Sequence, residues 1–160
     1  MLTIIHISMR IAFDIDGLLV PMHNEFPVEK PAGWLAALLT KESLRVGTIA
    51  LMRTLIADGH LIWIYTTSER TARYLIRWFG RQGIKLDGIV NGSAHMEWLR
   101  SQSAISCSKY PPAFDIDLLI DDSEGVLLEG QRHGFDVVRI DPTDRNWIDR
   151  IIEAVEERTL

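Results

Sequence analysis

Three short apolar runs, each breaking into acidic or hydroxylic residues, constrain this chain most: IAF before Asp14, LIWIY before Thr66 and LLI before Asp121. The runs are continuous rather than alternating, the pattern of strands covered on both faces, as in a parallel sheet. Gly88–Val90 has the same character, and Val137–Ile140 is a further strand candidate. Between these runs the period changes. Ala72, Leu75, Ile76 and Phe79 recur at helical spacing, as do Ile148, Ile151, Ile152 and Val155. Ile49, Met52 and Ile56 mark another helix, stopped at Asp58-Gly59, and Ser123 caps a helix from Glu124 that Gly134 closes. This alternation predicts a three-layer α/β/α, Rossmann-like fold with a central, mostly parallel sheet.

All 160 residues read as one domain, since no repeat or low-complexity linker divides them. Apolar residues make up 47% and charged residues 24%, which argues against disorder. The net charge of -5 disfavours non-specific nucleic-acid binding. A single cysteine, Cys107, excludes an internal disulfide and a Cys-rich zinc site, and no apolar run approaches the roughly 20 residues that span a bilayer. Residues 1–8 lack a basic start and a small-residue cleavage site, so they read as an extension rather than a signal peptide, with an extra strand as the competing reading. The expected location is cytoplasmic.

In parallel α/β sheets, ligands bind beyond the carboxyl ends of the strands. Those ends here carry Asp14-Ile15-Asp16-Gly17, Thr66-Thr67-Ser68 and Asp121-Asp122-Ser123. Four carboxylates crowded on one rim repel and need a cation; all-oxygen ligation favours Mg²⁺. Lys109 lies shortly before the Leu118 run and brings a fixed positive charge towards the same rim; Lys85 is its rival.

FDIDG, IYTTS, Lys109 and LLIDDS, in that order, resemble the four motifs of the haloacid dehalogenase (HAD) superfamily. The resemblance implies a Mg²⁺-dependent phosphatase with Asp14 as the nucleophile that forms an aspartyl-phosphate. It makes Asp16 the general acid and base, with its backbone carbonyl on the metal. Thr66 would bind the phosphoryl oxygens, helped by the backbone of Thr67 and the N-terminus of the following helix. Lys109 would neutralise nucleophile and phosphate, while Asp121 and Asp122 would complete the metal site with Asp14 and Asp16. The second aspartate of the first motif points to the phosphoester branch, whose leaving alkoxide needs a proton.

The resemblance also bears on the substrate, because cap insertions usually set substrate choice in that superfamily. With a helix or helices expected from Ala32 to Asp58, only residues 18–31 remain as a flap, and Asn91–Ser108 holds a short helix near His95–Leu99. Neither is a full cap. An open site suits a phosphorylated macromolecule, or a small molecule enclosed by a partner subunit in an oligomer. Arg70, Arg73, Arg77 and Arg81 form a basic stripe on one helix. It reads first as a solvated face and second as a track for nucleic-acid or nucleotide phosphates. A non-catalytic binding or regulatory module of the same fold is the remaining alternative. The second AFDID, at 113–117, precedes its apolar run, so Asp115 and Asp117 are expected at the wrong end of a strand to act as ligands.

Overall fold

The computed structural model describes residues 7–31, 33–39 and 41–159. Five strands, β1 (Arg10–Phe13), β2 (Leu61–Tyr65), β3 (Gly88–Val90), β4 (Leu118–Asp121) and β5 (Val137–Arg139), form one sheet in the order β3-β2-β1-β4-β5. Every pairing is parallel, and β1 lies at the centre between β2 and β4. The helices are α1 (Trp34–Leu39), α2 (Thr48–Ala57), α3 (Ala72–Arg81), α4 (Gly92–Ser101), α5 (Glu124–His133) and α6 (Trp147–Thr159). The expected three-layer, Rossmann-like architecture is the observed one.

Strand alternation sorts the core into two halves. Ile11, Phe13, Ile62, Ile64, Leu118 and Ile120 face one way and join residues of α2, α3 and α6. Ala12, Tyr65 and Leu119 face the other way, with Val126 of α5 and Ala94 of α4. Each large side chain fully buried here contributes about 1.5–3 kcal/mol by leaving water. Both faces being covered explains why the strands read as unbroken apolar runs.

Local chemistry sets the helix ends. The Ser123 and Asn91 side chains accept from backbone N–H groups of Val126 and Ala94, and Gly134 closes α5 in the left-handed region. The apolar face of α3 differs from the expected one: Leu75, Trp78 and Phe79 are buried, while Ile76 is 56% exposed. Ile56 of α2 is likewise exposed, and Leu51 and Leu55 take its place beside Met52. Each buried set is adjacent in helical projection, and the two isoleucines fall one residue outside it.

The helices expected between Ala32 and Asp58 are α1 and α2, with residues 41–47 lying between them outside any helix. The intervening chain returns to the preceding loop through an antiparallel bridge between Val28 and Arg45, with Glu29 N–H on the Leu44 carbonyl and Val46 N–H on the Pro27 carbonyl. The bridge makes residues 41–47 one unit with the flap segment of residues 18–31. Arg45 pins its base, stacked between Phe26 and Trp147 and donating to the Pro142 and Asp144 carbonyls.

At the amino end, residues 7–9 form no strand, and the rest of the expected extension, residues 1–6, lies outside the described residues. Among the described residues, no helix is long and apolar enough to cross a membrane.

Candidate active site

Asp14 directly follows the central strand, and its N–H continues the ladder onto the Ile120 carbonyl at 2.9 Å. Asp121 ends the neighbouring β4, so strand register alone brings these two carboxylates together. Between them lies Lys109, 3% exposed, whose Nζ donates to Asp14 Oδ1 at 2.8 Å and Asp121 Oδ2 at 2.6 Å. Asp14, Asp121 and Asp122 each offer an oxygen within 4.8 Å of the others. Lys85 is far from this cluster in character: its side chain is 86% exposed and pairs with Asp87.

The electrostatics of the cluster are unbalanced. The Asp14 carboxyl is raised to about 7: burial pushes it up most, Lys109 pulls against that, and Asp121 adds to the rise. Burial and Asp121 raise Asp122 as well. Burial pulls Lys109 down, but Asp14 and Asp121 outweigh it and hold the ammonium above its usual value. Two like charges at this spacing repel by on the order of 3 kcal/mol even at an effective dielectric of about 20. One lysine for three carboxylates leaves a negative excess in an all-oxygen donor set, which is what a hard divalent cation fits. Gly17 belongs to this cradle. Its φ is +87°, and a Cβ there would lie 2.4 Å from Asp122 Oδ2, so any side chain would displace that carboxylate.

A cavity of about 330 Å³ opens over the cluster, lined by Asp14, Asp16, Thr67, Lys109, Asp121 and Asp122 among others. Thr66 sits at the end of β2 but is buried; its hydroxyl accepts from Ser68 N–H and donates to Ser68 Oγ, closing the turn. Thr67 is the threonine that borders the cavity. The expected helix N-terminus does not follow at once, because α3 starts at Ala72 with Thr71 as its cap. Asp115 and Asp117 lie at the opposite end of β4, where they contact Arg10.

The loop carrying Lys109 has no periodicity, and long-range contacts hold it. Tyr65 Oη accepts from Tyr110 N–H at 2.8 Å and lies 2.7 Å from His95 Nδ1. His95 Nε2 then donates to the Cys107 carbonyl at 3.1 Å. In the neutral ring Nδ1 accepts from the Tyr65 hydroxyl while Nε2 keeps its bond to the carbonyl. Burial indeed holds its pKa below the usual value of about 6.5, against the pull of the Cys107 carbonyl. A depressed histidine adds stability above its unfolded-state pKa, and that stability is lost as pH falls. The stability advantage of wild type over His95→Gln should therefore narrow from about pH 7.5 to about pH 5.5 in urea titrations. A constant difference would contradict the role given to the neutral ring.

Sequence reasoning missed the surroundings of Asp16. Arg70 was placed on the basic stripe of a helix, but it precedes α3 and turns inward. Its Nη1 and Nη2 grip the two Asp16 oxygens at 2.7 Å each, and its Nε reaches Glu42 of the flap at 3.1 Å. The stripe therefore loses its first member. No local signal marks Glu42, whose partner lies 28 positions away.

No protein-family model and no curated protein matches this sequence. Solved structures do. A hydrolase from Streptococcus pneumoniae TIGR4 is similar over 91% of this chain and 98% of its own, at 13% identity and a TM-score of 0.56. The D,D-heptose 1.7-bisphosphate phosphatase from B. bronchiseptica, complexed with magnesium and phosphate, is similar over 92% and 99%, at 13% identity and a TM-score of 0.50. The fold is the one these two hydrolases share. A predicted HAD-like family hydrolase from Porphyromonas gingivalis also matches, at 15% identity, 92% and 98% coverage and a TM-score of 0.49. In this fold FDIDG, IYTTS and LLIDDS occupy the carboxyl rim of the sheet, with FDIDG on the central strand and the other two on either side.

Proposed function

We propose that the protein is a Mg²⁺-dependent phosphomonoester hydrolase. The observation that carries this reading is the buried ammonium of Lys109 shared between Asp14 and Asp121, with Asp122 beside them at the mouth of a cavity. Asp14 Oδ would attack phosphorus as the P–O bond to the leaving group breaks, and Asp16 would give that oxygen its proton. Water would then attack the aspartyl-phosphate, with Asp16 taking the proton, releasing phosphate and restoring Asp14. Lys109 favours the charged form of the nucleophile against burial and would face the transferring phosphoryl group. Thr67 and the turn closed by Thr66 and Ser68 present polar groups to its oxygens. Asp14, Asp121, Asp122 and the backbone at Asp16 would hold Mg²⁺, which supplies positive charge against the phosphoryl oxygens.

Support comes from the motif order, from the excess of negative charge in the cluster and from the fold shared with a heptose bisphosphate phosphatase. The test is turnover of a panel of sugar phosphates, nucleotides, phosphopeptides and p-nitrophenyl phosphate. Hydrolysis should require Mg²⁺ and stop on addition of a chelator. Metal-independent turnover, or none on the whole panel, would contradict the proposal, and the latter would favour a binding module.

A further inference from the structure

We propose that Arg70 is a positioning residue for Asp16, and that Glu42 ties its position to the flap. The inference rests on the phosphatase reading, in which Asp16 protonates the leaving oxygen. A guanidinium has five N–H donors in a rigid plane. All five are engaged here: Nη1 with Asp16 Oδ2 and Ser68 Oγ, Nη2 with Asp16 Oδ1 and Glu42, and Nε with Glu42. A two-pronged grip fixes the plane of the Asp16 carboxylate as well as its place, which a single point charge cannot do. Asp16 needs that help. Its side chain is one-third exposed, beyond the end of β1, and it stands outside the group of carboxylates that Lys109 holds.

The grip is itself held from two sides. Tyr74 of α3 donates its hydroxyl to Glu42 Oε2 at 2.8 Å, and Asn91 Nδ2 donates to the Arg70 carbonyl at 3.1 Å. Glu42 lies in the segment between α1 and α2, so the flap places one carboxylate on the arginine that orients the acid. A flap displaced from this arrangement would release Arg70 and loosen Asp16. The competing reading is an ion pair that only fastens the flap to the core. That reading predicts a change in the folded fraction, which lowers turnover of every substrate alike.

Leaving groups separate the two. p-Nitrophenolate leaves without a proton, whereas the alkoxide of β-glycerophosphate needs one. With Mg²⁺ saturating, Arg70→Lys should lower kcat on β-glycerophosphate about a hundredfold and on p-nitrophenyl phosphate less than about threefold. Glu42→Gln should give the same bias at about tenfold, and KM should move less than about threefold for either ester. The ratio of the two activities within one preparation does not depend on how much of it is folded. A uniform loss on both esters, or no loss on either, would overturn the role of Arg70. Asp14→Asn measured alongside separates the failures. If it retains turnover, the phosphatase reading falls with everything built on it. If it is inactive while Arg70→Lys shows no leaving-group bias, the positioning role alone falls.

Discussion

Asp14→Asn is expected to lower phosphoester hydrolysis by more than about a thousandfold and to leave the protein folded. The amide keeps the shape of the carboxyl but has no charge with which to attack phosphorus. Its effect on stability follows from the same crowding. Asp14 is raised to about 7 chiefly by burial, with Asp121 adding to it. A carboxyl whose folded pKa lies above its unfolded value favours folding in its protonated form. Its contribution is therefore complete below about pH 4 and is lost as pH rises towards 7. In metal-free buffer, wild type should lose stability over that window, and Asp14→Asn should show a flatter profile and melt no lower at neutral pH. Parallel profiles for the two proteins, measured by thermal melts across pH, would contradict this account.

Lys109→Met should be the most damaging single change in the site. It fills similar space but leaves Asp14 and Asp121 buried without a cation. Removing one partner of a buried ion pair costs about 3–5 kcal/mol, because the other charges remain uncompensated. In a domain of this size that corresponds to a fall in Tm of about 10 °C. Activity should disappear with it. Mg²⁺ should raise the Tm of the variant more than that of wild type, since the cation then serves carboxylates with no other partner. An unchanged Tm in metal-free buffer would mean that Lys109 is not what holds the carboxylates together.

How much of this was legible before any coordinates depends on which contacts are local. The strand ends were readable because an apolar run that breaks into Asp14 or Asp121 marks both the strand and its exit. Register then does the rest: Phe13 pairs with Ile120, and the two aspartates follow. Lys109 is named by its motif but not placed by it, because its loop has no period and is held at Cys107 and Tyr110 by His95 and Tyr65, residues from other parts of the chain. Arg70 was misplaced for a definite reason. Its spacing from Arg73 and Arg77 fits a helix, but Thr71 caps α3 and leaves residue 70 in the turn. The helical composition of residues 32–58 conceals the break between α1 and α2. The bridge between Val28 and Arg45, which interrupts that stretch, is a long-range pairing with no local signature.

One experiment tests the central claim most directly. Wild-type protein is mixed with a ³²P-labelled phosphoester and Mg²⁺, quenched in acid within the first turnover, and digested for peptide mapping. The account predicts label on the peptide containing Asp14, absent in Asp14→Asn and removed by a chase of unlabelled substrate. Turnover that proceeds while Asp14 never carries label would contradict it.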